Sequence, residues 1–244
     1  MPPTPDRDPP PLPAADCLTG VWRRELLALP DGYRDDTSLV LWLQGPSLYC
    51  DIRLPAPGGV AAMDAFAGAI ELTPEETALR CRWRREIDWA TTPGPADIGR
   101  LTWIGDGETR RLREDGVETE YYEIWRKETE AAPGDGVARF SDAAGRIGYL
   151  AWIGDLALWI RGRSDDADSL GEDLDPGMEA VLTRWDASES AYRVEQSTSP
   201  GRSPGEILLR GPVRDPAHLS VSEHGAGGRQ RACEWRATTL EPVR

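Results

Sequence analysis

The stretch Leu39-Val40-Leu41-Trp42-Leu43-Gln44-Gly45-Pro46-Ser47-Leu48-Tyr49-Cys50-Asp51-Ile52-Arg53-Leu54 is two short apolar runs joined by Gly/Pro/Ser turn chemistry. Runs of this length, bounded by turn residues and rich in aromatic and branched side chains, predict antiparallel strands. The pattern then recurs. Trp42 and Trp152 stand 110 positions apart, and at the same offset Leu48 meets Leu158, Tyr49 meets Trp159 and Arg53 meets Arg163. Trp125 and Trp235 repeat the spacing near the ends of the two halves, and Trp83-Arg84 matches Tyr192-Arg193 at an offset of 109. One shift that aligns aromatic, apolar and Arg positions in separate strands identifies an internal duplication.

Working outward, Leu79–Ile87, Arg100–Ile104 and Tyr121–Arg126 read as further strands of the first half. Arg146–Trp152, Leu156–Arg163, Met178–Trp185, Ala191–Glu195, Glu206–Leu209 and Arg231–Ala237 read as strands of the second. Gly- and Pro-containing turns separate them, among them Asp115-Gly116, and a short helical piece is expected near Ala61–Ala67. Long amphipathic helices are absent, so the expected class is all-β. Each half is long enough for a meander of eight to ten strands, and such a sheet tends to close because closure removes its edges. The expected organisation is a Pro-rich tail over residues 1–16, a first barrel over 17–130 and a second over 136–244. Thr129–Gly136 is the linker.

Composition bounds the function. The chain has 244 residues, 28 Lys and Arg against 42 Asp and Glu, and a formal net charge of -14. Such a surface repels phosphate backbones and anionic lipid, which argues against nucleic-acid and membrane partners. No stretch approaches the roughly 20 apolar residues of a membrane span. Met1–Ala15 has no basic-then-apolar signal pattern, so a cytoplasmic location with reduced Cys17, Cys50, Cys81 and Cys233 is expected. Arg, Ala, Gly, Pro and Asp are abundant and Lys scarce, as in proteins of high-GC bacteria.

Gly20-Val21-Trp22 on the first strand occupies the signature position of lipocalin-like (calycin) barrels, where Trp plugs one end. The segments Trp42-Leu43-Gln44, Tyr49-Cys50-Asp51-Ile52-Arg53-Leu54-Pro55, Trp83-Arg84-Arg85-Glu86-Ile87-Asp88, Asp97-Ile98-Gly99, Glu114-Asp115-Gly116 and Tyr121-Tyr122-Glu123-Ile124-Trp125 resemble those of the HRI family of fungal kinase interactors and bacterial relatives. Ser197-Thr198-Ser199-Pro200 resembles another of its segments. The likeness spans most of Leu18–Glu128 and thins beyond. It implies two lipocalin-like barrels in tandem and no established activity, and the kinase-binding role of the fungal member is not carried over.

Strand parity nominates site residues. Leu79, Cys81, Trp83, Arg85 and Ile87 share one face, which places a guanidinium on the apolar side. Such a group must be paired or bind an anion. Tyr121, Glu123 and Trp125 share a side of the last strand, which makes Glu123 the expected partner of Arg85, with ligand binding by Arg85 as the alternative. Tyr49, Asp51 and Arg53 lie opposite an apolar face. Parity favours solvent for this trio. If the sister barrel covers the outside, they line the lumen instead, with Asp51 as an acid or base. Trp22, Trp42, Trp83, Trp103 and Trp125 either line an aromatic cavity or pack as core.

Several constellations are rejected. His218 and His224 are expected in a Pro/Gly-rich loop and offer no metal or haem site. Gly225-Ala226-Gly227-Gly228 lacks the Lys-Ser/Thr of a phosphate cradle. Asp166–Gly177 fails as a calcium loop at Leu170 and Gly177. No cofactor is expected. The favoured function is binding of a small, partly aromatic metabolite in the first barrel by Trp42, Gln44, Arg53, Trp83, Arg85, Trp103, Tyr121 and Trp125, the metabolite being anionic where Arg85 fixes its polar end. The alternatives are a cofactor-independent cyclase, isomerase or lyase using Asp51, Glu123 or Tyr49, and a protein-interaction scaffold with filled barrels.

Overall fold

A computed structural model of the chain describes residues 13–56, 63–90, 94–104, 110–163, 177–199, 201–213, 216–224 and 230–243. A 3-10 turn at Ala15–Leu18 leads into the first sheet. Its strands are β1 (Gly20–Ala28), β2 (Arg34–Asp35), β3 (Leu39–Gln44), β4 (Leu48–Leu54), β5 (Asp64–Pro74), β6 (Leu79–Asp88), β7 (Asp97–Ile104), β8 (Arg111–Gly116) and β9 (Tyr122–Glu130). The order is that of a meander, and β1 also pairs β9 antiparallel, which closes an eight-strand barrel with the short β2 appended to β1. The second sheet comprises β10 (Gly136–Ser141), β11 (Ile147–Ile153), β12 (Leu156–Arg161), β13 (Glu179–Asp186), β14 (Ala191–Ser197), β15 (Ile207–Arg210), β16 (His218–His224) and β17 (Gln230–Pro242). It is nearly closed: β15 and β16 lie side by side without a ladder between them. The protein is therefore all-β, two tandem antiparallel barrels.

The halves correspond strand for strand, with Trp42 on β3 and Trp152 on β11, and Trp125 on β9 and Trp235 on β17. Several expectations are corrected. The helical piece near Ala61–Ala67 does not form. Asp64–Ala67 begins β5, where Ala65 and Ala67 pack outward and Phe66 inward, and Ala61 and Ala62 lie outside the described residues. Asp115-Gly116 ends β8 rather than making the turn. His218–His224 is a strand, not a loop, because Leu219 and Val221 alternate inward from it. Of the linker, Thr129 and Glu130 belong to β9 and Gly136 to β10. Residues 164–176 and 225–229, which include most of the failed calcium loop and the Gly-rich run, lie outside the described residues.

Three apolar layers hold the molecule. Trp22, Val40, Trp42, Tyr49, Phe66, Leu79, Cys81, Trp83, Leu101, Leu112 and Trp125 fill the first lumen. Phe140, Leu150, Trp152, Trp159, Val181, Tyr192 and Trp235 are among those filling the second. Between the barrels, Leu41, Leu43, Leu48, Cys50, Ile52, Ala65, Ala67 and Ile87 meet Val137, Tyr149, Ala151, Ile153, Leu158 and Ile160. Strands β3 and β4 are thus buried on both faces. Their outer side chains bind the sister barrel, so their polar residues have only the lumen left.

Gly20 shows why the first strand reads Gly-x-Trp. Its φ is +140°, and a Cβ there would lie 2.4 Å from the Thr129 carbonyl oxygen of β9. Two positions on, Trp22 is fully buried, donates from Nε1 to the Leu18 carbonyl at 2.7 Å and stacks on Trp42 at 5.9 Å. It plugs the barrel end nearest the 3-10 turn. Among the described residues no helix is long and apolar enough to cross a membrane.

The shared layer makes the barrels one cooperative unit. Ile52→Ala, within it, is expected to cost about 2–5 kcal/mol while leaving a single urea transition. Two separate transitions by tryptophan fluorescence and far-UV circular dichroism would contradict the shared layer.

Candidate functional site

At the barrel end opposite the Trp22 plug, polar side chains replace apolar ones on nearly every strand. The ladder explains which. Trp42 pairs with Asp51 and Val40 with Arg53 across β3–β4, and Asp51 pairs with Phe66 across β4–β5. Tyr49 and Asp51 therefore point into the lumen with Trp42 and Phe66, and Arg53 follows them to its mouth. The solvent-facing reading of this trio is overturned, because the second barrel covers Cys50 and Ile52 behind it.

Three guanidiniums anchor the mouth, each held by carboxylates. Arg24 is buried and donates to Asp35 at 2.6 Å and Glu123 at 2.9 Å. Arg53 donates to Asp51 at 3.0 Å and approaches Glu123 at 3.8 Å. Arg85 donates to Asp97 at 2.6 Å and to Asp88 at 3.3 Å, with its guanidinium 3.6 Å from the centre of the Phe66 ring. The expected Arg85–Glu123 pair is thus replaced. Glu123 does face inward, but Arg24 and Arg53 occupy it, and Arg85 takes carboxylates from its own strand and β7.

A bulge also corrects the parity of β6. Gly68 of β5 pairs with Arg85 and Ala67 with Ile87, so Glu86 is the extra residue. Arg85 stays on the lumen side while Ile87 turns out into the layer between barrels. Glu86 reaches the second barrel, where it accepts from Arg139 at 2.6 Å and Tyr149 at 2.5 Å.

The group that sequence reasoning missed is Glu114. It lies on β8 directly across from Glu123 of β9, both inward, and like charges so placed repel. Glu114 is buried and accepts from Tyr121 Oη at 2.6 Å and Trp125 Nε1 at 3.0 Å, neither of them a cation. Burial, with the charges of Glu123 and Asp97 added, pushes its carboxyl well above the ordinary range. Gly99 of β7 makes the space: a Cβ there would lie 2.7 Å from Glu114 Cγ. Asp51 is pushed up to about 6 by burial, against the opposing pull of Arg53. Tyr49 is buried, its hydroxyl has no hydrogen-bond partner among the described residues, and burial raises it well above its ordinary value.

Two cavities open at this mouth. One of about 460 Å³ is lined by Trp83, Arg85, Asp88, Asp97, Thr119 and Tyr121, with Arg82 and Arg84 at its rim. The other, about 410 Å³, is lined by Arg24, Asp35, Arg53, Asp64 and Trp89. Of the expected ligand residues, Arg53, Trp83, Arg85 and Tyr121 are brought together here. Trp42 and Trp125 pack as core, their rings 5.8 Å apart. Gln44 sits at the opposite end, where it accepts from Trp42 Nε1 at 2.8 Å and donates to the Gly45 carbonyl at 2.6 Å. Trp103 also lies there, against Trp22 at 6.1 Å. Their roles are structural.

A larger cavity of about 580 Å³ follows the β15–β16 seam of the second barrel, but its ionisable lining residues Arg210 and His218 are exposed. Among the described residues no group of three or more His, Cys, Asp or Glu is placed to hold a metal ion.

No family model and no curated protein matches the chain. Among solved structures, it is similar to the uncharacterized protein YLR301w of Saccharomyces cerevisiae, with a TM-score of 0.58 and 11% identity, over 91% of this chain and 98% of that one. At this identity the likeness establishes the fold alone.

Gly99 and Glu114 are expected to be coupled. Gly99→Ala should destabilise by about 1–3 kcal/mol, and by clearly less in a Glu114→Ala background. Urea midpoints of the four-protein cycle check this, and additive effects would exclude the contact.

Proposed function

We propose that the first barrel binds a small, partly aromatic molecule at its mouth. The observation that carries this reading is the 460 Å³ cavity, where Trp83 supplies an apolar face and Arg85, Asp97 and Tyr121 supply convergent polar groups. A carboxyl perturbed by burial and specific charge partners near a cleft is a functional-site candidate.

A cofactor-independent isomerase, cyclase or lyase is the second reading, favoured by Asp51. A carboxyl pushed up to about 6 is matched to proton transfer near neutral pH. Arg53, its partner, lines the 410 Å³ cavity. Conversion of a bound compound that disappears in Asp51→Asn would favour this reading over simple binding. We further propose membership of the HRI family. The motif resemblance supports it, together with two barrels that align along nearly the whole of a yeast chain.

The test is a panel of benzene- and indole-bearing fragments screened by ligand-observed NMR. Binders are expected to lose about tenfold or more in affinity in Tyr121→Phe and to be unaffected by Arg210→Ala at the second-barrel seam. No binder, or equal losses in both variants, would contradict the assignment of the site.

A further inference from the structure

The two barrels carry the same buried motif in different electrostatic company. In each, an inward glutamate of the penultimate strand accepts the indole N–H of the tryptophan on the last strand. Trp125 donates to Glu114 at 3.0 Å, and Trp235 to Glu223 at 2.9 Å. In the second barrel the carboxylate is compensated. Arg146 donates to Glu223 at 2.8 Å, and Arg161 lies 3.7 Å away. In the first barrel the residue 110 positions before Arg161 is Asp51, so a cation has become an acid. Among the described residues, Glu114 is hydrogen-bonded only by Tyr121 and Trp125.

The charge balance follows. Among the described residues of the second lumen, Arg146, Arg161 and Arg202 face Asp142, Glu179 and Glu223, one for one. In the first, Arg24, Arg53 and Arg85 are already committed to Asp35, Asp51, Asp97 and Glu123, and Glu114 remains over. An anionic ligand seated below the rim would compete with the carboxylates already paired to these guanidiniums. At the cavity rim Arg84 is engaged by Glu71, and Arg82 is exposed on the outer face of β6. A buried carboxyl with no cation in direct contact is unfavourable in its ionised form, and an added cation relieves that.

We propose that the molecule held at the first mouth carries a cationic amine, which sits beside Tyr121 and Asp97 of the cavity lining and supplies to Glu114, buried behind Tyr121, the positive charge that Arg146 and Arg161 supply to Glu223 in the second barrel. The inference rests on the binding reading above and adds the sign of the ligand's charge. Trp83 and Tyr121, both lining the cavity, offer aromatic faces that favour a cation. Binding draws Glu114 toward its ionised form, so a proton leaves the carboxyl and passes to solvent as the cation enters. The charged and titratable groups facing Glu114 are Tyr121 just before β9, Glu123 on β9, Asp97 on β7 and Arg53 on β4.

The test uses the full chain and three probes of matched shape: 2-phenylethylamine, 2-phenylethanol and phenylacetate. Calorimetry at neutral pH is expected to rank the amine at least tenfold tighter than phenylacetate, with the alcohol between. Repeating the amine titration in buffers of different ionisation enthalpy is expected to show proton release. Glu114→Gln should bring the amine toward the alcohol and abolish the release. Should that variant fail to fold, the ranking and proton release of the unmodified protein still decide. Phenylacetate binding as tightly as the amine, or amine binding without proton release, would overturn the charge assignment and leave the binding site standing. Absence of binding by all three would overturn both.

Discussion

The apolar layer between the barrels dictates what the rest of the structure can do. Leu43, Cys50 and Ile52 on one side and Ala151, Leu158 and Ile160 on the other are removed from water together. A strand that gives its apolar face to a neighbour has no solvent side left. Its alternate residues must enter the lumen whatever their polarity, and Tyr49, Asp51 and Arg53 do so. Polar groups confined in this way must satisfy one another or bind something, because burying them alone is costly.

Each barrel resolves that constraint differently. The second pairs its buried charges evenly, with Arg202 on Glu179 and Arg146 on Glu223. The first overcommits its guanidiniums and keeps a carboxyl against Tyr121 and Trp125 instead. The lower lumen is packed with indole rings in stacked and edge contacts, so the chemistry is confined to the mouth. Duplication explains the scaffold, and divergence at a few lumen positions, Asp51 against Arg161 among them, explains why the described residues of the two copies differ in charge.

The fold was legible because its signals are local or repeated. Period-two alternation marked β3, β4 and β6, and the spaced tryptophans exposed the two halves. The direction of Glu123 was legible in the same way. What lay beyond reach depended on partners distant in sequence. Nothing in Leu48–Leu54 says that another barrel covers its apolar side, so the face of Asp51 was undecidable. The Glu86 bulge, which separates Arg85 from Ile87, has no residue signature. β5 was misjudged because Ala65, Gly68 and Ala69 have weak strand preference, and sheet burial overrides it. Glu114 hid inside the charged run Arg111–Gly116, which resembles a turn. Its one clue was the alternation of Leu112 with Glu114, diagonal to a glycine at position 99 on the neighbouring strand.

The state of Glu114 is the most direct measure of whether this mouth is an unfinished electrostatic site. Titrating its side-chain carboxyl by carbon-detected NMR, assigned by comparison with Glu114→Gln, reads that state in the folded protein. The account predicts a midpoint well above the ordinary glutamate range near 4.3, falling when 2-phenylethylamine is added. A midpoint at the ordinary value in the free protein would show a solvated, already compensated carboxylate and would contradict the account.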